Sequence, residues 1–431
     1  MPIDLTPQQA RLLKSRLIAA PVAPGHLAHL INVGTDRILD VLEDQYFKEE
    51  LSEGVSSFKY LEGDYGTGKT QFINCLVERA RRNEVVSSVV SIGIECPFSS
   101  PLAIFRNVMA SFMPPFFEDE AGTQDKGIAV LLRAWVRDNL RKNGVTPGDA
   151  VPDAVRDYLE RPFKQIFVEA PDPQMANGLC QLGLRIIAWE CAAQPTVADQ
   201  ELLAWVRGES ISSRTLGDTY GLRTPAREEN AFPRLKTAIT FLRLRMNFRG
   251  FFIAFDEGTR IMSFRRGSTK QRQAIENMLT MINQNAEGEF GGVMFLYAAT
   301  PDFRAEIIKT YIALKDRIGS VAFIPGRPMT PLIRLEDHIS EESLLKLGDR
   351  LLDVFERANT VDWDRELQRQ NLAKLIEAQK KRLFMLTVPP RFFVFHCCRL
   401  LEEQRQSQRA LQAGDLLAFV EDNQIPKSET V

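Results

Sequence analysis

The sequence has no pair of cysteines at C-x-x-C spacing. Its only histidines, His26, His29, His338 and His396, do not join the cysteines at 75, 96, 180, 191, 397 and 398 at metal-ligand spacing. This excludes the usual zinc signatures and a disulfide framework, so the thiols read as free and buried, and no haem is expected. No apolar run approaches the roughly 18–20 residues that cross a bilayer. The start, Met-Pro-Ile-Asp-Leu-Thr, lacks the basic and apolar regions of a secretory signal. A cytoplasmic protein with no membrane partner is expected. Charge of one sign is missing too. The formal net charge of −2 excludes a globally basic nucleic-acid binder while leaving room for a local basic surface.

What is present is ordinary in bulk and specific in two places. With 44% hydrophobic and 26% charged residues over 431 positions, the chain is long enough for two or three compact units around a sizeable core. Residues 63–70 read Gly63-Asp64-Tyr65-Gly66-Thr67-Gly68-Lys69-Thr70, the G-x-x-x-x-G-K-[ST] spacing of a phosphate-binding loop. Glycines let the backbone turn sharply and bring its N–H groups to phosphate oxygens. Lys69 adds charge for the β- and γ-phosphates, and Thr70 offers a hydroxyl to Mg²⁺. Gln71 continues into a helix whose positive dipole end points at the anion. The flanks read as a strand over 58–62 and a helix from 71, the order that this chemistry requires. The competing reading is a glycine-rich surface turn.

The second place is Phe251-Phe252-Ile253-Ala254-Phe255-Asp256-Glu257, a buried-strand pattern ending in two carboxylates. Ligands of parallel α/β sheets lie beyond the carboxyl ends of the strands. Asp256 is therefore expected to hold Mg²⁺ and Glu257 to polarise the attacking water. The alternative is a surface loop that happens to begin with Asp-Glu. Together the two motifs predict binding and hydrolysis of a nucleoside triphosphate.

Periodicity organises the rest. An amphipathic helix is expected over 6–19 with Thr6 as its N-cap, packed on its own domain in preference to a partner. A second strand falls at 87–94. Residues 100–245 form a mainly helical insertion, with helices at 127–143, 150–169, 174–192, 196–207 and 231–247. A helix at 271–285 and a strand at 292–300 follow, then helices at 340–358, 363–382 and 388–405. The expected fold is a doubly wound parallel α/β sheet with a large helical insertion and a C-terminal all-helical unit. The expected boundaries are an N-terminal segment at 1–55, the α/β unit at 56–330, the helical unit at 331–421 and a disordered tail at 422–431.

A phosphate-loop α/β unit followed by a helical unit resembles the AAA+ ATPases. Val33-Gly34-Thr35-Asp36-Arg37 resembles the segment that flanks adenine in origin-recognition and Cdc6-like members. In the same resemblance Thr300 takes the sensor 1 position, which reads the γ-phosphate, and Arg317 in Tyr311-Ile312-Ala313-Leu314-Lys315-Asp316-Arg317 takes the arginine-finger position. Arg391 in Thr387-Val388-Pro389-Pro390-Arg391 takes sensor 2 in the helical lid. Each has a plain competitor: a strand-end hydroxyl capping a turn, a surface arginine, a helix-start arginine. More narrowly, the 63–70 loop, Glu95-Cys96-Pro97-Phe98 and the long insertion resemble the ATP-binding proteins of bacterial BREX-type phage-defence systems. The resemblance implies ATP with Mg²⁺, self-association with nucleotide at subunit interfaces, and a helicase or other defence-system proteins as partners. Preference for ATP over GTP rests on it, since no N-K-x-D motif is evident.

Arg260, Arg265, Arg266, Lys270 and Arg272 cluster after the acidic strand. In the AAA+ resemblance this segment faces a central channel, where it would track a DNA backbone independently of base sequence. The competing reading is a solvated basic face. Phe98 is a second, weaker channel candidate. Origin-recognition proteins carry a winged-helix domain after the lid, and this chain ends at Val431, so base-specific reading of DNA is not expected. Two functions follow: an ATPase motor or switch on double-stranded DNA, or an ATP-gated assembly module with slow turnover and no nucleic-acid contact. A small-molecule kinase fits the acidic pair and helical lid poorly.

Overall fold

The computed structural model describes residues 5–424, apart from 23, 116–124, 147, 148, 166, 169, 193–198, 212, 213 and 385. Expectations for 425–431, for the start of the 196–207 helix, and for positions 166 and 169 lie outside the described residues.

Six strands form one sheet: β1 Ser57–Glu62, β2 Val85–Ser91, β3 Phe112–Met113, β4 Gly250–Asp256, β5 Val293–Ala299 and β6 Leu332–Arg334. Their order is β3-β2-β4-β5-β1-β6. Every neighbouring pair is parallel except β2 with the two-residue β3. All seven residues of β4 and of β5 are buried, because helices cover both faces of a parallel sheet and leave no polar side. Alternation divides each strand between two cores. Phe251, Ile253, Phe255, Phe295 and Tyr297 face one, while Phe252, Ala254, Leu296 and Ala298 face the other.

The helices, in chain order, are α1 Pro7–Ala19, α2 Asp36–Leu42, α3 Lys69–Arg82, α4 Pro101–Ser111, α5 Ile128–Lys142, α6 Asp153–Lys164, α7 Pro173–Glu190, α8 Gln200–Val206, α9 Arg214–Tyr220, α10 Ala231–Met246, α11 Thr269–Ala286, α12 Pro301–Phe303, α13 Ile312–Ile318, α14 Glu341–Asn359, α15 Arg365–Leu383, α16 Pro390–Gln404 and α17 Ala413–Asp422. Helices α4–α11 supply the first core. Helices α1–α3 and α14–α17 supply the second. Helix α1 starts with a capping box between Thr6 and Gln9, which satisfies two otherwise open backbone donors. It packs against α14 and α16, so the N-terminal helix is fastened to the C-terminal ones. Helix α17 includes Asp422, the first residue of the expected tail.

Register decides where the chemistry falls. Glu62 pairs with Ala299 and Ser91 with Asp256, so β1, β4 and β5 end together and the residues that follow them share one edge. Glu62 at the end of β1 is buried between Arg304 and Arg334, with Nε–carboxylate distances of 3.7 and 3.2 Å. The two cations oppose the rise in its pKa that burial causes.

Phe98 corrects a sequence expectation. It is 1% exposed and meets Phe255 and Tyr297 edge-on, at centroid distances of 5.1 and 5.4 Å. Its carbonyl accepts from Asn277. The ring is held in the core because it closes the first core against β4 and β5, and this loop presents Ile94, 98% exposed, and Glu95 to solvent. Phe98→Ala should therefore cost about 3–5 kcal/mol of stability, as for a large core aromatic. Denaturant unfolding checks it, and a wild-type midpoint would contradict this packing role.

Candidate functional site

The 63–68 loop leaves the end of β1 and enters α3 through Gly68, whose φ of 102° lies in the left-handed region. A side chain there would be strained. Gly66 also has positive φ, and a Cβ on it would stand 3.3 Å from the Arg391 Cβ. The loop is bonded to itself. Lys69 Nζ donates to the carbonyls of Gly63 and Asp64 at 2.7 and 3.0 Å, and Thr67 Oγ1 donates to Asp64 O at 2.8 Å.

Across the edge, Thr70 Oγ1 donates to Asp256 Oδ2 at 2.7 Å. Asp256 Oδ1 accepts from the Glu257 N–H at 2.7 Å, which leaves the buried carboxylate fixed at both oxygens. A hydroxyl and a carboxylate in contact, beside a glycine-rich loop, fit Mg²⁺, which binds through one or two carboxylates together with substrate phosphates. Glu257 adopts φ 57°, uncommon for a residue with a side chain, and forms an ion pair with Arg260. Thr300 follows β5. Its N–H donates to Thr259 Oγ1 at 2.8 Å, and that hydroxyl lies 3.1 Å from Thr300 Oγ1.

The C-terminal helices reach the same place. The Arg391 N–H donates to Gly66 O at 3.1 Å, and its guanidinium lies 5.1 Å from the centre of the Tyr65 ring. Glu336, just after β6, accepts from the Asp64 N–H. The two residues after it bring His338, whose carbonyl sits against Gly34.

These groups surround one cavity of about 790 Å³. Of the residues singled out in the sequence, Val33, Tyr65, Gly66, Thr67, Gly68, Lys69, Thr70, Gln71, Asp256, Glu257, Thr300 and Arg391 line it. Gln71 also ties the loop to Ala28 O at 2.6 Å. Gly63, Asp64 and Gly34 stand behind the lining. Arg317 does not reach the cavity and is exposed on α13. Arg265, Arg266, Lys270 and Arg272 are exposed outside it, whereas Arg260 lies at its rim. Sequence reasoning missed Thr259, Glu336, Leu17 of α1 and Pro21 and Val22 just after it, which carry no motif. Arg260 was noted only as one cation of a cluster. Its i, i+3 spacing from Glu257 was the signal for their pairing.

The sheet and site define a mixed α/β protein with a glycine-rich loop facing an acidic strand end. Residues 11–416 match the family described as BREX system ATP-binding protein BrxC/D, and the chain belongs to that family. No curated protein and no solved structure matches it. Among the described residues no helix is long and apolar enough to cross a membrane, and no group of three or more His, Cys, Asp or Glu could hold a metal ion.

Burial lowers the Lys69 pKa below the ordinary lysine value, opposed first by Asp256. A bound polyphosphate favours the charged form and raises it again. Affinity for a nucleoside triphosphate should then be greatest with Lys69 protonated and fall as pH rises through the depressed pKa toward about 10.4. Binding in that alkaline window should take up a proton. Calorimetry in buffers of different ionisation enthalpy measures the uptake, and none at any alkaline pH would contradict the assignment.

Proposed function

We propose that the chain is an ATPase of the AAA+ type, acting as a DNA-associated motor or switch in a phage-defence complex. The convergence of Lys69, Thr70, Asp256, Glu257, Thr300 and Arg391 on one cavity carries this reading. In it, residues 1–55 flank the base, 56–330 form the nucleotide-binding unit with its insertion, and 331–421 form the lid.

The phosphates of ATP lie along the 63–70 backbone. Lys69 exchanges the Gly63 and Asp64 carbonyls for phosphate oxygens. Thr70 and Asp256 hold Mg²⁺, which when bound neutralises charge on the β- and γ-phosphates. Glu257 orients the attacking water and accepts its proton. Thr300 hydrogen-bonds the γ-phosphate, its position set by Thr259. Arg391 approaches from the lid side. Arg317, which makes no ion pair among the described residues, acts on the nucleotide of a neighbouring subunit, so self-association completes the site.

Arg265, Arg266, Lys270 and Arg272 form the DNA-tracking surface. All four are exposed, and none is in an ion pair among the described residues. A second reading, an ATP-gated assembly module with slow turnover, draws support from the Glu257–Arg260 pair. A carboxylate oxygen bonded to a guanidinium is not open to orient a water until that pair parts.

ATP hydrolysis by the full chain, with and without duplex DNA, separates the two. Glu257→Gln should lower turnover by about 100-fold or more while ATP still binds. Neutralising Arg265, Arg266 and Lys270 together should remove stimulation by DNA. Slow turnover that DNA leaves unchanged would favour the assembly module, and undiminished hydrolysis by Glu257→Gln would remove Glu257 from the chemistry.

A further inference from the structure

Strand β1 leads straight into the 63–68 loop, and it also carries two charged side chains that are almost wholly buried. Lys59 is 0% exposed and Glu62 6%. An odd number of positions apart on one strand, they point to opposite faces of the sheet. Neither lines the cavity.

Both hold the same segment, residues 319–331, which joins the end of α13 to β6. Lys59 Nζ donates to Pro328 O at 2.6 Å, to Thr330 O at 3.3 Å and to the Tyr46 hydroxyl at 2.9 Å. That hydroxyl donates in turn to Pro328 O at 3.1 Å. The buried Phe323 ring packs against the same ammonium, its centre 5.5 Å away. On the other face Glu62 lies between Arg304 and Arg334. Arg304 Nη2 donates to Gly319 O and Arg334 Nη2 to Ser320 O, each at 3.4 Å. These carbonyls stand at the C-terminal end of α13, where a guanidinium is favourable. Each bond is long, and the buried carboxylate matters because it holds both guanidiniums at once.

Helix α13 buries Leu314 and Ile318 and leaves Arg317 exposed. Its core contacts fix its rotation, and the 319–331 segment fixes its far end. A misplacement of about 1 Å can cost roughly 100-fold in rate. We propose that Lys59 and Glu62 are positioning residues for the neighbouring subunit's site: from opposite faces of β1 they hold 319–331 and so set how α13 presents Arg317. One strand then launches a subunit's own phosphate loop and sets the arginine that it offers to the next. The inference rests on the self-association reading above and deepens it.

Lys69→Ala makes a chain that holds phosphates poorly but still presents Arg317. Co-expression with an excess of it places an intact Arg317 beside the nucleotide of each tested chain. ATP turnover of the full chain is measured for Lys59→Met, Glu62→Gln and Arg334→Gln, alone and co-expressed, with Arg317→Ala as the reference. Arg334 is only partly buried, so its variant keeps the Glu62 arm testable if Glu62→Gln does not fold. Alone, each should lose at least about 10-fold in turnover, while ATP affinity changes less than about twofold. Co-expression should restore turnover to all of them, as to Arg317→Ala. Restoration for Arg317→Ala but not for the others would overturn the inference, because it places their effect at their own loop. Undiminished turnover in the three would overturn it too. Full turnover by Arg317→Ala alone, or a loss that co-expression leaves in place, would overturn the self-association reading and the inference with it.

Discussion

The bond between Thr70 and Asp256, 2.7 Å long and 186 residues apart in sequence, is the constraint on which the rest of the site depends. It holds only if α3 starts at the end of β1 and β4 ends level with β1 and β5. A slip of one residue in β4 would turn every β4 side chain to the opposite face, taking Asp256 away from Thr70 and Phe252 out of its core. The alternation of buried residues along β4 therefore fixes the chemistry as much as the core. Between α3 and β4 the described residues form β2, β3 and helices α4–α10. The chain returns in register because those helices pack on one face of the sheet and the closing strand, apolar up to Asp256, is seated between β2 and β5.

A second consequence concerns the loop itself. Its lysine and threonine side chains are bonded to its own carbonyls. Under the proposed function Lys69 would exchange its bonds for phosphate oxygens, and the net gain would be smaller than the gross count. The loop is also gripped from outside: Glu336 takes the Asp64 N–H, and Arg391 takes the Gly66 carbonyl. Both come from beyond β6, so the backbone of the cradle is tied to the C-terminal helices. A change in how those helices sit would be felt at Asp64 and Gly66 without any intermediate step.

Much of this was legible in the sequence, for physical reasons. Glycine, lysine and threonine in a fixed spacing state a local requirement, and local requirements survive in the linear order. The strands β4 and β5 were visible because burial on both faces forces unbroken apolar runs. Helices α10, α11, α14, α15 and α16 fell within a few residues of their expected ends because their apolar spacing and stop signals agree. The three-residue β6 and two-residue β3 were not legible, since their pairing is a tertiary event with too few residues to leave a pattern. Phe98 was misread for a similar reason. A lone aromatic after a strand says nothing about which way it turns, and here the rings of Phe255 and Tyr297 take it inward.

The same distinction separates the two sides of the cavity. The polar side is built from residues within a few positions of three strand ends, so short motifs disclose it. The apolar side draws on residues near 20, near 345 and near 394, which only the fold brings together. Hydrogen-bond geometry to a phosphate demands particular atoms at particular spacings, and few residue types meet that demand. Burial of an aromatic ring demands only area and shape, which many combinations of leucine, valine and proline provide. Recognition by charge and hydrogen bond therefore leaves a signature in sequence, while recognition by apolar contact leaves almost none. The side of the cavity built from residues 63–70 and 251–257 could be picked out in the sequence, but the opposite side could not.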